Sequence, residues 1–147
     1  MSLALLAHLM GVVVWVGGMF FAYVALRPAA AQTLQPPERL SLWRATFQIF
    51  FTWVWLAIAL ILASGFYMIW RTGGFRAAPL SVVLMIIVGI VMMVIFTYVY
   101  FVLYARLTQA VASENWPKGA QALAKIRILV GINLALGLSV IVLGVLS

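Results

Sequence analysis

The chain has 147 residues, 67% of them hydrophobic and 7% charged, with a mean hydropathy of +1.22. These values lie far outside those of soluble globular domains and leave an integral membrane protein as the class. The net charge of +7 is no nucleic-acid signal, because the basic residues sit at the ends of apolar runs, where they orient membrane proteins, and the lack of cysteine excludes disulfides and thiolate metal sites.

Four apolar segments follow one another, with helices expected over about 3–26, 38–70, 79–112 and 116–146. Each contains the ~20 apolar residues that a helix needs to cross the hydrocarbon core. A β-barrel would show short alternating strands instead. The predicted fold is therefore all-α, a single four-transmembrane-helix bundle filling residues 1–147 in the lipid bilayer.

The first segment has no basic residue ahead of its apolar run, and the run exceeds the ~7–15 residues of a secretory signal, so it reads as a retained helix. At helical spacing His8, Gly11, Trp15, Gly18 and Ala22 form one stripe, too small and too polar to face lipid. Glycines on such a stripe let a neighbouring helix, or a flat ligand, approach the backbone closely. Arg27 and Pro28 are expected to end this helix at the interface.

Pro36, Pro37 and Glu38 form a helix start, with an acid suited to the positive end of the dipole. Trp43 marks the entry into the membrane, and Arg44, Gln48 and Thr52 follow at i, i+4 and i+8 as a polar stripe. Arg44 either snorkels to the headgroups or turns inward to a partner such as Asn133. Tyr67 and Trp70 belong to an aromatic belt, and R-T-G-G-F-R-A-A-P forms a tight turn before the third helix.

The third helix carries Ser81 and Met85 early, Met92 and Met93 near its middle, and Tyr98, Tyr100 and Tyr104 late. Its amphipathic extension ends near S-E-N-W-P-K-G, where Asn115 as cap and Pro117 in the first turn start the fourth helix. Asn133, Gly137 and Gly144 share a face there, which implies close helix contact and one interhelical hydrogen bond.

Seven of the nine basic residues, Arg27, Arg39, Arg44, Arg106, Lys118, Lys125 and Arg127, fall at one end of this bundle, and Arg71 and Arg76 fall at the other. The positive-inside rule then puts the basic connections in the cytoplasm and both termini on the periplasmic side of a bacterial inner (plasma) membrane.

Only two acidic residues occur, Glu38 and Glu114, both beyond the spans, so no carboxylate pair exists for acid/base work inside the membrane. Chemistry centres on His8, the single histidine. Imidazole ligates copper and haem iron, and methionine thioether suits copper(I). With the termini outside, Met10, Met68 and Met85 share the outer half with His8, giving a His/Met copper site. For haem b, His8 would be axial, with Gly11 and Gly18 making room for the ring, Trp15 packed on it, and Arg71 and Arg76 pairing with propionates. With neither ligand, His8 is a neutral imidazole hydrogen-bonded to a neighbour such as Ser64 or Ser81.

The pattern His8-x-x-Gly11-x-x-x-Trp15-x-Gly17-Gly18, Arg44 entering the second helix, Ser64-Gly65 near its end, and Ile126-Arg127 leading to Gly131 and Asn133 resemble bacterial CopD-type membrane proteins. That resemblance implies a plasma-membrane bundle linked to copper uptake or resistance. It is also similar to HemJ, a membrane protoporphyrinogen oxidase that binds haem through a first-helix histidine, although HemJ-type proteins carry a lysine in the third helix and an acid in the fourth that this chain lacks. Three functions follow: copper handling at an outer His/Met site, a haem-b oxidoreductase of the HemJ kind, and a cofactor-free accessory subunit. Glycine-rich helix faces would serve a homodimer or a larger membrane or respiratory complex; nucleic acid is not an expected partner.

Overall fold

A computed structural model describes all residues 1–147, and every long element in it is helical. Helix α1 spans Ser2–Thr33, α2 Pro36–Arg71, α3 Leu80–Ala112 and α4 Trp116–Leu146. All four are long and apolar enough to cross a membrane. They run alternately up and down. The terminal face of the bundle holds both chain ends and the α2–α3 turn, and the connection face holds residues 34–35 and 113–115.

The outside of the bundle is as apolar as its inside. Leu3, Phe21, Ile87, Val94, Phe101 and Val145 are all exposed. In water such a surface would aggregate, whereas in a bilayer it is the solvated one.

Helix α1 runs past Pro28, further than the sequence suggests. Proline lacks an N–H and its ring crowds the carbonyl one turn back, which ordinarily ends or kinks a helix. Here residues Phe21–Leu26 widen into a π-helical turn, with the Arg27 N–H bonded to the Ala22 carbonyl. This shift of register absorbs the proline, and helix resumes over Arg27–Thr33. A second π-helical turn covers Val99–Tyr104 in α3.

The turns obey local chemistry. Gly73 and Gly74 adopt φ values of +102° and +80° in the α2–α3 turn, a region open to glycine at little cost. At the α3–α4 connection the Asn115 side chain caps α4 by accepting from the Lys118 N–H at 3.4 Å, as the sequence indicates.

The core on the connection half is an aromatic ladder between α2 and α3. Trp43, Phe47, Phe51 and Trp55 rise at four-residue spacing on α2, opposite Phe96, Tyr100 and Tyr104 on α3. Phe47 stacks on Phe51 with ring centroids 4.8 Å apart, and Phe51 meets Phe96 edge-on at 5.3 Å. Trp55 closes the ladder against Phe96 at 4.9 Å. Edge-on and offset pairs of this kind contribute about 0.5–1.5 kcal/mol each beyond area burial.

Candidate functional site

The stripe on α1 is the contact face of that helix. Gly11, Trp15 and Ala22 are buried, and Gly18 and His8 are partly buried. Helix α2 occupies the space that the glycines leave. A Cβ on Gly11 would sit 2.8 Å from Ile61 Cγ1 and 3.0 Å from the Ala57 carbonyl oxygen, and one on Gly18 would run into the Phe50 ring. Trp15, only 3% exposed, meets Phe96 of α3 edge-on at 6.1 Å. These residues therefore pack helices, and the room that a haem plane would need along Gly11 and Gly18 is filled by Ile61 and Phe50.

His8 lies near the terminal end of this stripe, and its Nδ1 is 3.1 Å from Ser64 Oγ on α2. Gly65 lies beside the ring, and a Cβ there would be in ordinary van der Waals contact with it, 3.5 Å from His8 Cε1. The serine hydroxyl has one proton, and it donates this back along its own helix to the Leu60 carbonyl oxygen at 2.5 Å. With that proton so directed, Ser64 Oγ is an acceptor for the tautomer of His8 that carries its proton on Nδ1. In that neutral tautomer Nε2 has a free lone pair, the form in which histidine binds metals.

The methionines are spread more widely. Met68 follows Ser64 by one turn on the same face of α2 and is partly buried. Met85 packs on α4, where its Sδ would be 3.4 Å from a Cβ on Gly144. Met10 is 54% exposed and, two residues from His8, points to a different side of α1. Arg71 and Arg76 are exposed, Arg71 in the last turn of α2 and Arg76 in the short helical turn Phe75–Ala77. Met68 and Arg71, at i+4 and i+7 from Ser64, share a helix face with the partner of His8, and of the two only Met68 is partly buried and carries a soft donor.

Two sequence expectations about polar groups are resolved. Asn133 does not pair with Arg44: its Nδ2 donates to the Met92 carbonyl oxygen at 3.0 Å, and its Oδ1 is buried without a partner, as is Arg44 Nε. Gln48 and Thr52 are exposed, with the Thr52 hydroxyl satisfied by the Gln48 carbonyl at 2.9 Å. Two glycines of α4 have close neighbours within the chain, Gly137 in Val16 and Met92, and Gly131 in Tyr23.

Sequence reasoning missed a cavity of about 220 Å³ near the connection face, between the late part of α1 and the starts of α2 and α4. Arg27, Arg39 and Arg127 line it together with Tyr23 and Trp43. Read singly, these arginines mark topology, and their convergence follows only from the packing of three helices.

Neither curated proteins nor solved structures give a match to the chain. The family model of CopD, copper resistance protein D, matches residues 44–147, most of the chain from the entry of α2 to the end of α4. His8 and the rest of α1 lie ahead of that stretch. Four membrane-length helices and a family match over more than half of its length identify the chain as a multi-pass membrane protein of the CopD family.

Proposed function

We propose that this protein handles copper as cargo at the terminal face of the bacterial plasma membrane, with His8 as the leading ligand. The observation that carries the reading is the His8–Ser64 pair: a proton on Nδ1 presents Nε2 as a donor. Met68, one turn beyond Ser64, is the thioether best placed to join it, and an imidazole with a thioether is a soft donor set that suits copper(I). Met10 and Met85 take weaker roles, on the approach rather than in the first contact. A site with one fixed donor and a mobile thioether holds an ion loosely. That suits an ion in transit, whether for uptake or for resistance.

The orientation in this reading follows the charges. Seven basic residues on the connection face favour a cytoplasmic position for it under the positive-inside rule, and in that orientation His8 opens toward the periplasm.

The test is elemental analysis of detergent-purified protein loaded anaerobically with copper(I), beside its oxidised and dithionite-reduced absorption spectra. Wild type is expected to retain copper with a featureless spectrum, and His8→Ala to lose it. Equal copper in the two proteins would overturn the assignment of His8, and a Soret band that disappears in His8→Ala would replace copper with haem.

A further inference from the structure

We propose that the cavity near the connection face binds a phosphate-bearing anion, and that a phospholipid headgroup is the source its shape fits best. The proposal is independent of the copper reading and rests on different residues.

Three arginines line this cavity, and no carboxylate does. The only acidic side chains in the chain, Glu38 and Glu114, are both exposed and neither lines the cavity. Arg39 spends one end of its guanidinium on the chain reversal, with Nη2 donating to the carbonyl oxygens of Leu34 at 3.0 Å and Ala31 at 3.3 Å. Its Nε is buried and has no partner. Arg27 donates from Nε to the Tyr23 carbonyl at 3.2 Å and lies over the Tyr23 ring at 4.4 Å, which fixes its plane while leaving both terminal nitrogens uncommitted. Arg127 enters from α4 and is exposed.

A buried, unpartnered donor on a cation is costly, and a cluster of like charges raises that cost. An anion with several acceptor oxygens relieves both at once, and guanidinium matches phosphate in a bidentate fork. The floor of the cavity is apolar, formed by Leu40, Phe47, Ile126 and Val130. Basic pockets between transmembrane helices on the cytoplasmic side are a recurring means of holding anionic lipid headgroups. Pockets for drug-sized ligands begin at about 300 Å³. The smaller space here suits a headgroup or a free phosphate and not a macrocycle.

The π-helical turn of α1 belongs to this site. Ala22 and Tyr23 lie within it and Arg27 follows it directly, so the register shift that accommodates Pro28 also sets which residues of α1 face the cavity.

The experiment measures lipid retained per chain, by native mass spectrometry of detergent-purified protein supplied with phosphatidylglycerol, phosphatidylcholine or inorganic phosphate. Wild type is expected to retain phosphatidylglycerol in preference to phosphatidylcholine. Arg127→Gln should weaken that binding about tenfold, the effect of losing one charge-assisted hydrogen bond. Ala31→Glu, which sets a carboxylate at the exposed rim, should abolish it. Arg39→Gln also removes contacts within the chain, so the two rim variants, both at exposed positions, carry the test. Arg106→Gln, an exposed arginine outside the cavity, should bind as wild type does. Inorganic phosphate binding that is lost in Ala31→Glu, without lipid retention, would assign the same site to a free anion. Equal retention by wild type and Ala31→Glu, or an equal loss in Arg106→Gln, would overturn the proposal in favour of diffuse attraction.

Discussion

Asn133 of α4 donates from Nδ2 to the Met92 carbonyl oxygen of α3 at 3.0 Å, and this is the side-chain hydrogen bond that ties those two helices together in mid-bundle. Interhelical hydrogen bonds in membranes average about 0.6 kcal/mol and reach about 1.7 kcal/mol. Asn133→Ala should therefore lose about 1–2 kcal/mol, the bond plus a small void. Asn133→Asp should lose more, because a carboxyl at this depth costs about 2.5–3.5 kcal/mol on insertion scales. Denaturant unfolding in detergent, followed by helical circular dichroism, measures both. An aspartate variant as stable as the alanine one would mean that water reaches this position.

The glycines of α1 differ in what surrounds them, and their alanine variants should differ accordingly. At Gly11 a new methyl meets the Ala57 carbonyl, backbone that cannot turn aside, so Gly11→Ala should cost about 1–3 kcal/mol as overpacking. At Gly18 the obstacle is the Phe50 ring, partly buried and able to rotate away, and the cost should be smaller. Gly17 has nothing within 4 Å. Gly17→Ala should be neutral or slightly stabilising through helix propensity. Thermal unfolding of the three variants would rank them, and a Gly17 variant as unstable as the Gly11 one would sink the account of the α1–α2 contact.

Much of this arrangement is legible in the sequence, for reasons that are local. The four spans follow from apolar length, the start of α4 from Asn115 and Pro117, and a serine partner for His8, Ser64 or Ser81, from the need of an imidazole inside the bundle for a hydrogen bond. What escapes reading depends on register or on three bodies at once. Pro28 looks like a terminus because its missing N–H is visible in sequence, whereas the π-helical turn that tolerates it is not. The glycines at 11 and 18 announce a close approach without saying whether a helix or a ligand makes it. The aromatic ladder did have a signal, four-residue spacing on both α2 and α3, but nothing in either helix alone says that the two rows face each other.

Glu114 holds φ at +54° at the end of α3. It occupies the left-handed position of a Schellman turn, in which the Asn115 N–H bonds to the Ala110 carbonyl at 2.8 Å and the Glu114 N–H to that of Val111 at 3.2 Å. A side chain in this conformation costs about 1–2 kcal/mol that glycine avoids. Glu114 is exposed, so nothing else is lost on replacement. Glu114→Gly should raise the unfolding free energy by about 1 kcal/mol, and no gain in the unfolding midpoint would mean that the residue relaxes in solution.

In the proposed copper site Ser64 positions His8, and its removal should weaken copper binding while leaving the imidazole in place. In Ser64→Ala the Nδ1–H loses its acceptor, the fixed tautomer is released and the ring can turn. Loss of such an outer partner typically lowers metal affinity about 10–100-fold. Competition against a chelator of copper(I) should show a loss of this size in Ser64→Ala and complete loss in His8→Ala. Ser64→Thr, which keeps the hydroxyl, should retain most of the affinity. Equal affinities in wild type and Ser64→Ala would detach the serine from the site.

The absence of native cysteine makes the orientation directly testable, since any single introduced thiol is the only one in the chain. Ser113 is exposed at the α3–α4 connection, and Ser147 is exposed at the opposite end of α4. With the basic connections in the cytoplasm, Ser147→Cys in intact spheroplasts should react with a membrane-impermeant maleimide. Ser113→Cys should react only after the membrane is opened. The reverse pattern would turn the bundle over, place His8 toward the cytoplasm and make the copper site one for export from within. Because seven basic residues favour one face and two the other, the charge asymmetry predicts the first outcome, and removing Arg71 and Arg76 should leave it unchanged.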